Sequence, residues 1–434
     1  MTPRRVLHVL HGLPPAQVGG TGLYVAALAA AQRAAGDTVA VLGPEANRPA
    51  GPEAPELLSF RGSPARRWSD TWAPAGAEAE VDRLLRAWRP DIVHLHHLAG
   101  LPFALGPRAR AAGARVVLTL HDYHLACARG QLVDRTGAPC PGPAPGRCAR
   151  CVGMGAAVAP AAGRLPAPLR AALQPWAAPL ARWPGSSRAA PAASARLFAA
   201  QAVFRSAHAR LSPSRDLAAR FAAWGFPAVA PCALPLVLPI RPAPPPGDGP
   251  LRVLFASALL PTKGPDRLLR AFAALPIGAA TLTLAGPPPP PGVFPGFIAS
   301  LSAQARATPG VAWRGSVPPE AMEALLHAHD LLVLPSTWPE NSPLVVREAT
   351  AAGLRTILPA HGGAAELDAL APRLAPDAPD AALTRLLEVE IRRGRARRAP
   401  AVWPSPSDHA AWLREGPYAG SDAPGPLSEP GAPQ

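Results

Sequence analysis

Residues Leu251–Leu275 read LRVLFASALLPTKGPDRLLRAFAAL. An apolar run of strand length leads into a loop holding Pro, Lys and Gly, and then into an amphipathic helix. The chain opens on the same plan: RVLHVLHGLPPAQVGGTGLYVAALAAAQRAAGDTVAVLG, Arg5–Gly43, reads as strand, Gly-rich loop, helix and strand. In that helix Leu23, Ala26, Ala27 and Ala30 supply the apolar side, and Gly36 sits past its end. Each segment heads a series. Further apolar strands are expected at Asp91–His96, Ala114–His121 and His208–Ser214, and, in the second half, at Ala280–Gly286, Asp330–Ser336 and Arg355–Ala360. Strands alternating with helices give parallel sheets, so two such series give an α/β chain of two Rossmann-like domains.

The first domain is expected over residues 1–234, with a cysteine-bearing loop at 124–152. Residues 235–250, PLVLPIRPAPPPGDGP, read as a semi-rigid proline-rich linker. The second domain covers 251–400, a further helix falls within 401–420, and the Pro- and Gly-rich tail 421–434 reads as disordered.

Hydrophobic residues make up 48% of the 434, which is the composition of a globular chain. No apolar run reaches membrane-spanning length without an Arg or a Pro in it. His8 and His11 interrupt the first apolar run, which favours a buried strand over a signal peptide and places the protein in the cytoplasm. The net charge is +14, carried by 42 arginines and a single lysine, Lys263. Where Arg would serve, this chain uses Arg, so its one Lys marks a place needing a compact ammonium. The charge is spread along the chain and does not single out a nucleic-acid partner. The basic stretch EIRRGRARR, Glu390–Arg398, reads as a solvated helix face, with peripheral contact to an anionic membrane, at its inner face, as the alternative.

In open α/β sheets ligands bind beyond the carboxyl ends of the strands, and the unusual residues cluster there. Val18, Gly19 and Gly20 follow the first strand, where glycines let a ligand approach the backbone and the next helix offers its positive end. His121, Asp122 and Tyr123 end one strand, and His94, His96 and His97 end another, so this polar cluster is expected to line a cleft. Lys263 and Gly264 occupy a loop suited to a phosphate contact. In PENSPLVVREATAAG, Pro339–Gly353, Ser342 is expected as N-cap and Pro343 as the first residue of a helix ending near Ala352. Its first-turn amides, from Leu344 onward, suit a diphosphate. Glu348 lies on the order of 7 Å further along the axis, within reach of a ribose. Glu340 stands on the far side, before the helix.

With these motifs in this order, the chain resembles the retaining glycosyltransferases of family 4. The E-x7-E spacing of Glu340 and Glu348, PTKG (Pro261–Gly264), HGGAAE (His361–Glu366), LTLHDY (Leu118–Tyr123), DIVHLHH (Asp91–His97) and VGG carry the resemblance, over residues 4 to 370. It implies the GT-B architecture, two Rossmann-like domains with facing parallel sheets and a cleft between them. It also implies transfer of a sugar from a nucleoside-diphosphate-sugar to a glycan or lipid-linked acceptor with retention of configuration, as in bacterial polysaccharide biosynthesis. Under the resemblance, Glu348 binds the ribose and Glu340 faces the donor sugar. Lys263, Gly264 and the stretch Asn341, Ser342, Pro343, Leu344 and Val345 hold the diphosphate. Gly19 and Gly20 close over the phosphates, His121 lies beside the sugar, and Gly362 and Gly363 shape its pocket. His121, Lys263 and Glu340 form the implied catalytic set. Helix N-termini and a lysine can stabilise the departing diphosphate without a metal. One departure stands out: the family has G-R-L-x-P-x-K-G, and here Ala258 replaces the Arg. A degenerate, non-catalytic binder of sugar nucleotides or glycans and a GT-B nucleotide-sugar epimerase are the alternatives.

Cys127, Cys140, Cys148 and Cys151 follow in the pattern C-x12-C-x7-C-x2-C. Three states stay open for them: a structural zinc held by four thiolates, reduced thiols, or disulfides, which a cytoplasmic chain disfavours.

Overall fold

The computed structural model describes residues 2–13, 19–44, 56–61, 68–134, 137–152, 190–289 and 294–420. Val18 and the tail 421–434 lie outside these. The chain divides into two units. Unit 1 is Met1–Val237 joined by a return segment from Pro404, and unit 2 is Leu238–Trp403. Both have the α/β, Rossmann-like design.

Unit 1 is built on a seven-stranded parallel sheet of β1 (Arg5–Val9), β2 (Thr38–Pro44), β3 (Glu56–Phe60), β4 (Ile92–Leu95), β5 (Arg115–Thr119), β6 (Ala209–Ser212) and β7 (Ala230–Pro231). The order is β3-β2-β1-β4-β5-β6-β7, so the direction of winding reverses between β1 and β4, where His8 pairs in register with His94. Its helices are α1 (Gly20–Ala34), α2 (Ala77–Trp88), α3 (Leu105–Ala111), α4 (Pro145–Val152), α5 (Ala190–Ser206) and α6 (Arg215–Ala223). The buried face of α1 carries Tyr24, Val25, Leu28, Ala29 and Gln32, whereas Ala30 is exposed and Leu23, Ala26 and Ala27 are half-buried. The expected face is therefore corrected. In an alanine-rich helix the small residues mark no side, and the large ones decide the packing.

Unit 2 holds β8 (Leu251–Ala256), β9 (Ala280–Ala285), β10 (Val311–Gly315), β11 (Leu331–Val333), β12 (Arg355–Pro359) and β13 (Arg373–Leu374), ordered β10-β9-β8-β11-β12-β13 and all parallel. Here the reversal falls between β8 and β11. The helices are α7 (Pro265–Ala273), α8 (Pro295–Ala307), α9 (Met322–His327), α10 (Leu344–Ala351) and α11 (Asp380–Arg392). The centre is a single apolar cluster in which Val253, Phe255, Leu282, Leu331, Ile357, Leu383 and Leu387 are buried. The proline-rich stretch is not a free spacer. From Leu238 it belongs to unit 2, where Arg241 forms a paired contact with Glu323 and the Ala243 amide donates to the Ala352 carbonyl at 3.0 Å. The last helix, α12 (Pro406–Glu415), returns to unit 1. Ser405 and Asp408 cap it reciprocally, and Trp412, Leu413 and Tyr418 join the core around α1.

EIRRGRARR is a solvated face only in part: Arg392 and Arg393 are exposed, whereas Glu390 is buried and Arg395, Arg397 and Arg398 are half-buried. Arg355 and Arg393 bind Glu390 at 2.6 and 2.8 Å, and Arg398 binds Asp368 at 2.8 Å. The fully buried Asp330 gathers Arg252 at 2.6 Å, Arg395 at 3.2 Å and Arg397 at 3.9 Å. Asp330 directly precedes β11 and Arg355 opens β12, so these pairs stand at the amino ends of the strands. Asp330→Asn, which leaves three guanidinium groups without their carboxylate, is expected to destabilise unit 2 by about 3–5 kcal/mol. Urea unfolding checks this. No helix among the described residues is long and apolar enough to cross a membrane.

Candidate active site

Three loops meet at the reversal point of the unit 2 sheet, on the carboxyl ends of β8, β11 and β12. The first is the turn Pro261–Lys263 closed by Gly264, which has φ +73. A Cβ at Gly264 would lie 2.4 Å from the Pro335 carbonyl oxygen, so only glycine lets these loops touch. The Thr337 amide donates to the Thr262 carbonyl at 2.9 Å, and Arg267 Nη1 donates to Pro335 O at 3.2 Å. The third loop closes in the same way. Gly362 has φ +73, its Cβ would lie 2.4 Å from Glu340 O, and the Ala364 amide donates to that same oxygen at 3.2 Å. Gly363 follows in a buried turn, Gly363–Glu366.

This packing brings Lys263 and Glu340 together. Lys263 Nζ donates to both Glu340 carboxylate oxygens, at 2.7 and 2.8 Å, and Ser336 Oγ donates to Oε1 at 2.7 Å. The ammonium also lies 4.7 Å from the centre of the Trp338 ring. Glu340 and Asn341 are each 3% exposed, so the pair is sheltered from water on most sides.

The helix after this loop begins one residue later than expected. Pro343, with ψ 121, is the N-cap of α10, and the Ser342 side chain does not cap it. Instead Ser342 Oγ accepts from Arg347 Nη2 at 2.6 Å. Arg347 is fully buried, with its guanidinium 4.4 Å from the Trp403 ring centre. The amides of Leu344 and Val345 sit in the first turn, where an α-helix leaves its N–H groups without an intrahelical acceptor. Glu348 lies one turn on and is 4% exposed. Burial alone pushes its carboxyl up to about 7.

In unit 1, Gly19 caps α1 in extended backbone and Gly20 opens the helix; both are exposed, and the first turn carries no acidic residue. His121 follows β5 and is half-buried, with Nε2 3.2 Å from His96 Nδ1. Burial pushes His121 down to about 3, so the ring is neutral. Its neighbour Asp122 accepts from His97 Nε2 at 3.0 Å. His94 and His96, expected to line a cleft, lie in the core instead at 0% and 4% exposure. His94 sits on β4 and His96 just past its end, at the sheet's reversal point, where side chains are covered on both faces.

A family model described as glycosyl transferases group 1 matches residues 239–370, and one described as a glycosyl transferase 4-like domain matches residues 19–143. Both units carry glycosyltransferase domains. The first match takes in Lys263, Glu340 and Glu348; the second takes in Gly19 and His121. Sucrose-phosphate synthase from Thermosynechococcus elongatus has a similar fold, with a TM-score of 0.59 at 18% identity over 94% of this chain and 93% of its own. HepE from Anabaena, solved with UDP and glucose, gives 0.57 at 16% identity over the same shares, 94% and 93%. WaaG, a glycosyltransferase involved in lipopolysaccharide biosynthesis, gives 0.53 at 17% identity over 98% and 97%. These likenesses identify the architecture as GT-B. No curated protein sequence matches the chain.

Several residues of this candidate site escaped the motif reading. Ser336 and Trp338 flank the Lys263–Glu340 pair, and Arg347 anchors Ser342. Only the clustering of Trp338 and Ser336 beside Glu340 in the sequence hinted at the first two. Cys127, Cys140, Cys148 and Cys151 are half-buried, and burial pushes the Cys148 thiol up. Among the described residues the one group of three or more His, Cys, Asp or Glu side chains close enough to share an ion is His8, His94 and His96.

Proposed function

We propose that this GT-B glycosyltransferase moves a sugar from a nucleoside-diphosphate-sugar to a hydroxyl of a glycan or lipid-linked acceptor, with retention of configuration. One observation carries the reading. The only lysine of the chain, the first-turn amides of α10 and the buried carboxylate of Glu348 converge at the reversal point of one sheet. In this assignment the diphosphate lies against the amides of Leu344 and Val345, and Lys263 meets its oxygens. Glu348 accepts two hydrogen bonds from the vicinal ribose hydroxyls. Glu340 turns from Lys263 towards the sugar, since the ammonium gains a doubly charged partner. The close approach of Gly362 and the Ala364 amide hold the backbone of Glu340 in place for this, and His121 is assigned to the sugar hydroxyls.

The reaction then balances without a covalent enzyme intermediate. The bond between the sugar anomeric carbon and the diphosphate oxygen breaks, and its electron pair stays on the diphosphate. The acceptor oxygen bonds to the anomeric carbon on the same face, and its proton passes to the departing phosphate oxygen. Lys263 and the start of α10 stabilise the growing negative charge. The arginine absent at Ala258 leaves Lys263 as the side-chain cation of this step, while the buried Arg347 adds positive field beneath the helix start.

HepE was solved with UDP and glucose, and starch synthase IV from Arabidopsis thaliana, another similar fold, with ADP and acarbose. Both support a nucleotide donor and differ in the base. A panel of UDP-, ADP-, GDP- and TDP-sugars, read by nucleoside diphosphate release, tests the proposal. Release from at least one, increased by a glycan acceptor, is expected. Binding with no release from any donor would instead mark a degenerate binder. An epimerised free nucleotide-sugar would mark an epimerase.

A further inference from the structure

At the start of α10 one polar side chain meets solvent and a cation lies beneath it. Residues 338–341 and 346–350 are buried, whereas Ser342, Pro343, Leu344 and Val345 are half-buried. Within this stretch the chain is therefore open at the helix start, where a ligand can reach it.

A serine just before a helix usually caps it. Its oxygen then accepts from a first-turn amide and uses up a donor that an anion would need. Ser342 does not do this. Pro343 is the N-cap, and Ser342 Oγ accepts from Arg347 Nη2 at 2.6 Å instead. A guanidinium only donates. It occupies a lone pair of the serine and leaves the hydroxyl hydrogen directed away from Arg347.

Arg347 is held in this position from below. It is fully buried, with its guanidinium 4.4 Å from the centre of the Trp403 ring. Trp403 Nε1 donates to Thr350 Oγ1 at 3.0 Å, and that hydroxyl donates to Arg347 O at 3.0 Å. The Ala401 amide donates to Thr350 O at 2.9 Å, which ties the Trp403 segment to α10. Indole and amide N–H groups only donate and a carbonyl only accepts, so the direction of each link is fixed. All of these residues belong to unit 2. The charge has a sense as well. The first turn of α10 carries no acidic residue, and Arg347 brings a cation to the end of the helix that is already positive. That arrangement is unfavourable by itself and becomes favourable when an anion binds.

We propose that Ser342 donates its hydroxyl hydrogen to the β-phosphate of the nucleotide donor, and that Arg347 is a positioning residue acting through Ser342. The helix start then offers three donors, the amides of Leu344 and Val345 and one side-chain hydroxyl. The β-phosphate is the one addressed because Ser342 stands on the Glu340 side of the helix start, whereas Glu348 marks the ribose. The hydroxyl adds a donor to a site in which Ala258 stands where the resemblance implies an arginine. This role for Ser342 rests on the donor site proposed above.

The test is isothermal titration of the full chain as wild type, Ser342→Ala, Arg347→Met and the double variant. The probes are UDP, ADP, GDP and TDP, and then the monophosphate of the one that binds. Ser342→Ala is expected to weaken diphosphate binding about tenfold, the loss of one hydrogen bond to a charged group, and to leave monophosphate binding unchanged. Arg347→Met should weaken diphosphate binding at least as much. The double variant should bind no more weakly than Arg347→Met, since one residue acts through the other. Diphosphate binding by Ser342→Ala at wild-type strength would overturn the proposal. So would equal losses for the mono- and diphosphate, or single losses that multiply in the double variant. If Arg347→Met does not fold, the Ser342→Ala comparison decides alone. A wild type that binds none of the four diphosphates would sink the donor site itself, and this role with it. Wild-type binding matched by Ser342→Ala would sink the role of Ser342 only.

Discussion

Replacing Lys263 with methionine is expected to lower nucleoside diphosphate release by about 10²–10³-fold, the usual loss when one preorganised donor to a developing anion is removed. Lys263 is the sole lysine of the chain, and Ala258 stands where the resemblance implies an arginine. The same change leaves the Glu340 carboxylate, 3% exposed, with Ser336 but no cation, which is expected to cost about 3–5 kcal/mol of stability. Activity and stability can be separated through the pair. Lys263→Met with Glu340→Gln removes both charges, so most of the stability should return while release stays low. Thermal unfolding and single-turnover release, measured on both variants, decide the matter. A double variant that regained wild-type release would show that Lys263 serves the fold alone.

Glu348→Gln is expected to act in opposite directions on binding and on stability. Donor affinity should fall by about a hundredfold, since a carboxylate accepting two hydroxyls makes charge-assisted bonds that an amide cannot match. Stability at pH 8 should rise. The folded carboxyl titrates near 7, above the usual 4.5. Its contribution to stability is thus fully present below pH 4.5 and is lost as pH rises through 7. The loss is on the order of 3 kcal/mol, at about 1.36 kcal/mol per unit. Glutamine does not ionise and avoids it. Donor binding by the wild type should weaken below pH 7, where binding releases the Glu348 proton, while the variant should show a flat profile. A variant less stable than wild type at pH 8 would mean that Glu348 is held by partners in the fold rather than kept ready for a ligand.

The two-unit architecture was readable because buried parallel strands write themselves as short apolar runs, and β8, β9 and β12 fall within the runs expected for them. Strands β10 and β13 carry Trp313, Arg314 and Arg373 and gave no such run. The side of α1 that faces the sheet was misread because alanines outnumber the residues that decide it. In the proposed donor site, Lys263, Glu340 and Glu348 could be singled out from spacing and composition. Their pairing was not visible: Lys263 and Glu340 stand 77 residues apart, and only the packing of Gly264 against Pro335 brings their loops together. Arg395, Arg397 and Arg398 of EIRRGRARR read as solvated for the same reason, since Asp330 and Asp368 become their partners only in the folded sheet. The core of unit 1 depends on still longer connections, such as the hydrogen bond between Gln32 and Tyr418, 386 residues apart.

The central claim is that unit 2 holds a nucleoside diphosphate between Lys263, the start of α10 and Glu348. Isothermal titration of the full chain with the nucleoside diphosphate that the donor panel selects tests it most directly, in wild type, Lys263→Met and Glu348→Gln at pH 8. The account predicts binding by the wild type and at least tenfold weaker binding by each variant. Binding of equal strength by all three proteins, each shown to be folded, would contradict it.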